Sequence, residues 1–254
     1  MVRTFLVRGM LVGIVAGLLS FGFLKIFGEP QVDRAIAFEE QMDEAKAEFA
    51  KQHGMAAPEE GPELVSRPVQ AGLGLFTAVM VYSAAFGGLF GLAFAFAQGR
   101  MPGELGPQAL AALLALIGFI AVYLIPNLKY PANPPSVGNP ETIGTRTALY
   151  FGMITISLIA MVGALNFRRM LAGRYGSWNA TLMVAAYYIA VMIVAALVLP
   201  AVNEVPEEFP AVVLWKFRVA SLGAQLILWA TLGLLFGALT QRATTLGRVR
   251  AKRT

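Results

Sequence analysis

Residues 71–97 read AGLGLFTAVMVYSAAFGGLFGLAFAFA and contain no charged side chain. A helix needs about 20 predominantly apolar residues to cross the hydrocarbon of a bilayer. Five other stretches of the chain have the same character, so the sequence predicts six membrane-spanning helices. They lie at about 4–27, 71–97, 106–126, 145–167, 178–200 and 213–240.

The overall composition indicates the same class of protein. Of the 254 residues, 57% are hydrophobic and 14% are charged, whereas ordinary soluble domains carry about 25% charged residues. A chain this apolar cannot enclose its hydrophobic surface around one aqueous core. We therefore expect an all-α, polytopic membrane helix bundle, with residues 1–254 as a single membrane domain and the lipid bilayer as its partner.

The charges predict how the bundle is oriented. Eleven of the twenty basic residues fall in the termini and in the connections between spans two and three and between spans four and five: Arg3, Arg8, Arg100, Arg168, Arg169, Arg174, Arg242, Arg248, Arg250, Lys252 and Arg253. Cytoplasmic loops are enriched in Lys and Arg, so both termini are predicted to be cytoplasmic. Fourteen of the fifteen acidic residues then lie outside, with Glu104 alone inside. The net charge of +5 would suggest a nucleic-acid partner in a soluble domain, but here the positions of the charges matter more than their sum, and we expect no nucleic-acid partner.

The six spans group into three hairpins whose outer loops begin alike. These loops start Gly28-Glu29-Pro30, Ile125-Pro126-Asn127 and Leu199-Pro200-Ala201. Proline interrupts helices, so each of these prolines is predicted to end its span. The likeness fits a parallel internal repeat, and it fits equally well the general suitability of prolines and acids for exposed loops.

The first outer loop, residues 28–70, differs from the others. From Gln31 to Gln52 it contains no Pro or Gly, and its apolar side chains have helical spacing. We predict an amphipathic helix that lies on the outer surface or caps the bundle, breaks at Gly54 and leads into a linker at 58–68. Its acidic face is either a solvated surface or an attractor of cations.

Glycines recur at four-residue spacing in three of the spans. The stripes are Gly9, Gly13 and Gly17, then Gly87 and Gly91, then Gly233 and Gly237. Small residues at this spacing let membrane helices approach closely. The stripes predict tight helix packing and say little about function.

Several kinds of chemistry are absent from the sequence. It has no cysteine and one histidine, His53, which excludes thiolate sites and a multi-histidine metal cage within this chain. It has no phosphate-binding glycine–lysine loop, no dinucleotide fingerprint and no Ser/His/Asp set. We therefore expect no enzyme activity and no bound cofactor. The span centres also lack charged residues, which argues against a proton relay built on carboxylates.

The ionisable groups of interest gather at the outer ends of the spans. We assign cation entry to four residues with oxygen ligands, which suit hard divalent ions: Glu29, Glu141, Glu204 and Asn133. The nearby basic residues Arg146, Arg218 and Lys216 are expected to form ion pairs of structural or functional importance. Arg146 and Arg218 should each have a carboxylate or carbonyl partner, with Glu141 or Glu204 favoured.

Arg218 also begins a polar stripe. Ser221 and Gln225 follow it at i+3 and i+7, on one face of an otherwise apolar helix. The outer cluster has two interpretations at this point. Either its ion pairs hold the hairpins together, or it forms the mouth of a transport path.

Several segments resemble the CbtA family of cobalt transporter subunits. The most specific is Leu128-Lys129-Tyr130-Pro131-Ala132-Asn133-Pro134-Pro135-Ser136-Val137-Gly138-Asn139-Pro140-Glu141-Thr142-Ile143. Others are Phe27-Gly28-Glu29-Pro30, Asn203-Glu204-Val205-Pro206 and Leu214-Trp215-Lys216-Phe217-Arg218. The resemblance implies a multi-pass protein of the bacterial inner (plasma) membrane that imports cobalt for cobalamin synthesis. It also implies a small single-span, histidine-bearing partner similar to CbtB.

Two other functions remain open at this stage. The chain could be a non-transporting accessory or assembly subunit that docks on a larger membrane complex through its outer loops. A membrane enzyme that uses the outer carboxylates is a weaker third alternative. The transported metal, the energy source and the oligomeric state are not indicated by the sequence.

Overall fold

The computed structural model describes residues 2–55, 65–100, 105–135 and 137–251, with side chains described as far as Leu246. These residues form helices and loops and contain no strand, which confirms an all-α protein. Five helices are long and apolar enough to cross a membrane: α1 (Val2–Gln52), α2 (Arg67–Ala97), α3 (Pro107–Lys129), α4 (Pro140–Val198) and α5 (Ala211–Leu246). Most of the predicted linker at 58–68, and Glu104, lie outside the described residues.

Helix α1 does not end at Gly28-Glu29-Pro30, so the prediction that this proline interrupts the helix is wrong. The chain passes through a π-helical turn at Leu24–Gly28, and the Glu29 N–H donates to the carbonyl of Leu24. Pro30 has no N–H, and its ring would meet the carbonyl four residues earlier in a regular α-helix. That carbonyl, of Ile26, lies inside the wider π turn. The amphipathic helix predicted over 31–52 therefore exists, but as the continuation of α1.

Helix α3 passes its proline in the same way. The carbonyl four residues before Pro126 belongs to Val122, inside the π-helical turn Phe119–Leu124, and the helix continues to Lys129. The prediction that Pro126 ends the helix is therefore wrong. Pro200 does follow a helix end, because α4 stops at Val198.

Helix α4 reverses direction at Gly176, whose φ of 78° and ψ of 159° are not helical. A positive φ is strained for residues with a Cβ, and glycine adopts it freely. The two halves then face each other, since the hydroxyls of Ser157 and Tyr188 lie 2.7 Å apart. Arg168 donates to Ser177 Oγ at 2.7 Å close to the reversal. The predicted spans 145–167 and 178–200 lie one in each half.

The glycine stripes are confirmed as sites of close helix contact. A Cβ built on Gly9 would overlap the carbonyl oxygen of Gly87, and one on Gly13 would overlap that of Ser83. Helix α5 approaches α3 in a similar way, because a Cβ on Gly233 would lie 2.7 Å from that of Ala115. The main core fills the space between these helices, and it includes Phe94, Phe236, Leu232 and Val12.

Contacts between helix ends define two ends of the bundle. At the first, which we call the basic end, Arg8 Nη1 donates to Thr240 Oγ1 at 2.9 Å and Arg169 donates to the Arg100 carbonyl at 2.6 Å. The opposite end, which we call the loop end, carries the continuation of α1 and the connections that follow α3 and α4. Every acidic side chain in the described part of the chain lies toward the loop end.

Candidate functional site at the loop end

Residues 130–142, the connection between α3 and α4 together with the first turn of α4, form the centre of the loop end; we call them the central loop. Two hydrogen bonds fix the start of its path. Asn127 Oδ1 accepts a hydrogen bond of 3.2 Å from the Ala132 N–H, and the Tyr130 hydroxyl donates to the Pro200 carbonyl at 2.8 Å. The first residues of the segment that carries the family resemblance are therefore tied to α3 and to the connection after α4.

An apolar cluster seats the central loop against α1. Ala35 and Val137 are buried together with Phe209, which lies in the connection before α5. Phe38 packs edge to face on Phe209, with ring centroids 5.1 Å apart. The part of α1 around Ala35 and Phe38 thus packs on the loop end, whereas Phe49, farther along the same helix, is exposed.

Arg218 reaches from α5 into the central loop and is partly buried there. Its Nε donates to the Ala132 carbonyl at 3.2 Å, and its Nη2 donates to Asn133 Oδ1 at 2.8 Å. Arg218 therefore has the expected carbonyl partner. The carboxylates that the sequence favoured, Glu141 and Glu204, do not pair with it in the described part of the chain. Asn133, assigned to cation entry, uses its amide oxygen to hold Arg218.

Arg146 makes the predicted ion pair with Glu204. The Nε of Arg146 lies 3.4 Å from Glu204 Oε2, and its Nη2 donates to the Asn139 carbonyl at 3.1 Å. Glu204 Oε2 also accepts from the Asn139 N–H at 2.8 Å. We call these three residues the Arg146 cluster. It ties the start of α4 to the connection that follows α4.

The ionised form of Glu204 is stabilised within the Arg146 cluster. Its carboxylate lies in hydrogen-bonding reach of the Thr142 hydroxyl and accepts from the Asn139 N–H. These hydrogen bonds, together with the charge of Arg146, outweigh partial desolvation and hold the pKa of Glu204 below its usual value. These contacts therefore favour the ionised carboxylate of Glu204.

Gly138 provides the space for the Arg146 guanidinium, a role that the sequence analysis missed. Its φ is 120°, and a Cβ at this position would overlap Nη1 of Arg146. Both features require glycine. The only sequence signal was its position inside the segment that resembles the CbtA family.

Glu29 belongs to a separate ion-pair group. The Arg67 Nη2 donates to Glu29 Oε2 at 2.6 Å and to Asp33 Oδ1 at 2.7 Å. Asp33 lies one turn after Glu29, so both carboxylates face the same arginine. The sequence analysis did not assign Arg67 and Asp33, although the i, i+4 spacing of the two acids was visible.

Glu141 and Lys216 make no ion pair within the described residues. The Glu141 backbone N–H donates to Asn139 Oδ1 at 2.9 Å, and its side chain is exposed. Lys216 is also exposed, two residues before Arg218 on α5. Glu141 is thus the assigned entry carboxylate that has no cationic partner.

The three assigned glutamates do not form a joint metal site. Glu29 pairs with Arg67, Glu204 pairs with Arg146, and Glu141 points to solvent. Among the residues that the structure describes, no group of three or more His, Cys, Asp or Glu side chains is placed to hold a metal ion. The geometry supports a structural role for two of the three carboxylates.

A polar track runs into the bundle below Arg218. The stripe predicted on α5 meets tyrosines of two other helices: Ser221 Oγ lies 2.9 Å from the Tyr123 hydroxyl, and Gln225 lies near the Tyr82 hydroxyl. We call Ser221, Gln225, Tyr123 and Tyr82 the polar track. The tyrosines were missed because they occur inside apolar spans, where a single aromatic residue carries no periodic signal.

Comparison with known protein families matched residues 2–241 to the family described as "Probable cobalt transporter subunit (CbtA)". This chain belongs to the CbtA family. The match confirms the resemblance drawn from the sequence, and it covers nearly all of the chain. No curated protein and no solved structure matches it.

The matched region of this CbtA chain contains every contact described at the loop end. The central loop, the Arg146 cluster and the polar track all fall within residues 2–241. CbtA membership and five apolar helices together make the chain a multi-pass membrane protein.

Proposed function

We propose that this chain is the membrane subunit of a cobalt uptake system that serves cobalamin synthesis. The observation that carries the proposal is the CbtA match over residues 2–241. The five apolar helices provide the membrane part of such a system. Divalent cobalt is the cargo in this proposal, and the chain acts without a cofactor and without enzyme activity.

The proposed topology has six crossings in the bacterial inner membrane, with both termini in the cytoplasm. The reversal of α4 at Gly176 supports the count, because each half of α4 exceeds the roughly 20 residues that a crossing needs. The arginines of the basic end support the orientation, because positive charge concentrates on the cytoplasmic side. Arg3, Arg8, Arg100 and Arg169 all belong to that end.

The metal ligands are proposed to come in part from a partner. Imidazole suits a transition metal such as cobalt, and the single histidine of this chain, His53, lies at the exposed end of α1 with Nδ1 2.9 Å from the Phe49 carbonyl. The described carboxylates do not form a metal-binding group. A small single-span, histidine-bearing subunit similar to CbtB would supply the missing ligands.

Glu141 is the proposed entry carboxylate on this chain. Its side chain is exposed at the start of α4, whereas Glu29 and Glu204 are held by arginines. Two like charges repel strongly in a medium of low polarity, so a divalent ion would be repelled by Arg218 at the head of the polar track. The partner subunit must therefore contribute to the path beyond the entry point.

The test measures cell cobalt by mass spectrometry in a strain that lacks other cobalt importers. Cells with this chain and its histidine-bearing partner should accumulate cobalt, and Glu141→Gln should reduce the accumulation. Glu207→Gln is the matched control, because Glu207 is also an exposed acid of the loop end. Unchanged cobalt in the presence of both subunits would reject uptake.

An accessory or assembly role is the second candidate. It is favoured by the arginine pairs of Glu29 and Glu204, which fix the outer loops, and by the positive charge of Arg218 above the polar track. Such loops provide a rigid docking surface for a larger membrane complex. Co-purification of a large complex, together with unchanged cell cobalt, would select this role.

A further inference from the structure

A groove of about 620 Å³ opens between α1 and α5 at the basic end. It is lined by Arg3, Thr4, Val7, Arg8, Leu11 and Leu239. The two arginines lie within the first turns of α1, and the aliphatic side chains continue the groove toward the middle of the bundle. The groove therefore has a cationic entrance and an apolar floor.

No acidic side chain in the described part of the chain neutralises the cationic entrance. Arg8 donates one hydrogen bond, to Thr240 Oγ1 at 2.9 Å, from a guanidinium that carries five N–H donors. Arg3 is exposed and makes no ion pair in the described part of the chain. Because the described acids lie toward the loop end, the two arginines retain their attraction for an anion.

The apolar floor is exposed in a way that suits a hydrocarbon chain. Leu11 is 60% exposed, Val7 46% and Leu239 39%. These side chains lie on membrane-spanning helices, so their surroundings are acyl chains. A ligand that satisfies both parts of the groove must carry an anionic group and a long apolar tail within one molecule.

We propose that this groove binds an anionic phospholipid, with its phosphate at Arg3 and Arg8 and an acyl chain along Val7, Leu11 and Leu239. Guanidinium groups bind phosphate oxygens with two parallel hydrogen bonds. Basic pockets between membrane helices recognise anionic headgroups by this chemistry. A free phosphate ion would use the entrance and leave the apolar floor without a partner.

The first test measures lipid retention by native mass spectrometry of the full chain in detergent. Phosphatidylglycerol, which is anionic, should bind more tightly than phosphatidylcholine, which is zwitterionic. Each basic residue near a membrane surface contributes about 1 kcal/mol to anionic lipid binding, which corresponds to about fivefold in affinity. Arg3→Gln should therefore weaken phosphatidylglycerol binding by about fivefold and leave phosphatidylcholine binding unchanged.

The matched control is Arg174→Gln. Arg174 is exposed at the same end and packs on the Tyr175 ring at 5.3 Å, but it does not line the groove. The affinity of this variant for phosphatidylglycerol should stay within about twofold of that of the parent chain. This change is less than half of the free energy that one basic residue contributes. An equal loss in both variants would mean that general surface charge attracts the lipid, and it would overturn the proposal.

The second test addresses the acyl chain. Leu11→Ser should weaken phosphatidylglycerol binding, whereas Leu18→Ser should not, because Leu18 is 56% exposed on the same helix outside the groove. Millimolar inorganic phosphate should not displace the lipid. Displacement by phosphate, or equal effects of the two leucine substitutions, would show a simple anion site and reject a lipid groove.

Discussion

At the scale of single residues, the loop end depends on a glycine and an ion pair. Gly138 leaves room for the Arg146 guanidinium, and Arg146 in turn holds Glu204 at 3.4 Å. The Nε of Arg146 is buried and has no hydrogen-bond partner among the described residues, so its interaction with Glu204 is ionic. Unpaired buried charge is costly, so the three residues form one interdependent unit.

Replacement of Gly138 by alanine should destabilise the protein by about 1–3 kcal/mol. The new Cβ would overlap the Arg146 guanidinium at a backbone φ of 120°, and both effects are unfavourable. The thermal midpoint in detergent measures the loss. Gly144→Ala is the control, because a Cβ at Gly144 meets no atom within 4 Å; equal midpoints for the two variants would contradict the role assigned to Gly138.

The lowered pKa of Glu204 predicts a stability difference that depends on pH. The folded pKa lies below the unfolded value of about 4.3. The contribution of Glu204 is therefore complete above that unfolded value and is lost as the pH falls through the folded pKa. The thermal midpoints of the parent and Glu204→Gln should differ at pH 7 and converge toward pH 3. Exposed Glu207→Gln should show no such convergence.

At the scale of helices, the glycine stripes and the π turns set how the elements meet. A Cβ on Gly9 would overlap the Gly87 carbonyl, so α1 and α2 touch through their backbones. The π turns at Leu24–Gly28 and Phe119–Leu124 allow α1 and α3 to continue past proline. Helix length is thus set by local hydrogen bonding as well as by composition.

Gly9→Val should disrupt the contact between α1 and α2. Overpacking of a tight interface costs about 1–3 kcal/mol or more, and here the new side chain meets backbone atoms, which cannot rotate away. Folded yield and the thermal midpoint in detergent should both fall. Gly22→Val, on the same helix, should have little effect, because a Cβ at Gly22 meets no atom within 4 Å. Equal effects would reject the close contact.

The sequence predicted the apolar spans and the glycine contacts because hydrophobicity and small-residue spacing are local properties. The sequence analysis placed the ends of two helices wrongly. Pro30 and Pro126 are accommodated by π turns, and no residue pattern in the sequence predicts such a turn. Of the candidate site, the pair Arg146–Glu204 was predicted from opposite charge near the membrane surface. For Arg218 a carbonyl partner was predicted, but not that Ala132 and Asn133 would provide the contacts, because this depends on how the central loop folds over α5.

At the scale of the whole molecule, the proposed topology predicts the reactivity of introduced cysteines, since the natural chain has none. Cysteines at Gly54, Pro135 and Glu207 should react with a membrane-impermeant thiol reagent from outside the cell. Cysteines at Ala172 and Arg250, and at Gly103 outside the described residues, should react only after the membrane is opened.

The same labelling separates six crossings from five. Reversal at Gly176 places Pro135 and Glu207 on one side of the membrane and Ala172 on the other. A single crossing by α4 would instead place Pro135 and Glu207 on opposite sides. Labelling of Glu207 from the cytoplasm, with Pro135 labelled from outside, would therefore reject the six-crossing topology.

The unbroken course of α1 has a mechanical consequence. Its 51 residues amount to a rod about 77 Å long at 1.5 Å per residue. The Gly9 and Gly13 contacts hold the first part of this rod, and the contacts of Ala35 and Phe38 hold it again at the loop end, while Phe49 is exposed beyond them. Gly13 and Ala35 are 22 residues apart, which is about 33 Å along a helix at 1.5 Å per residue. One helix therefore couples the packing of α1 against α2 to the position of the central loop.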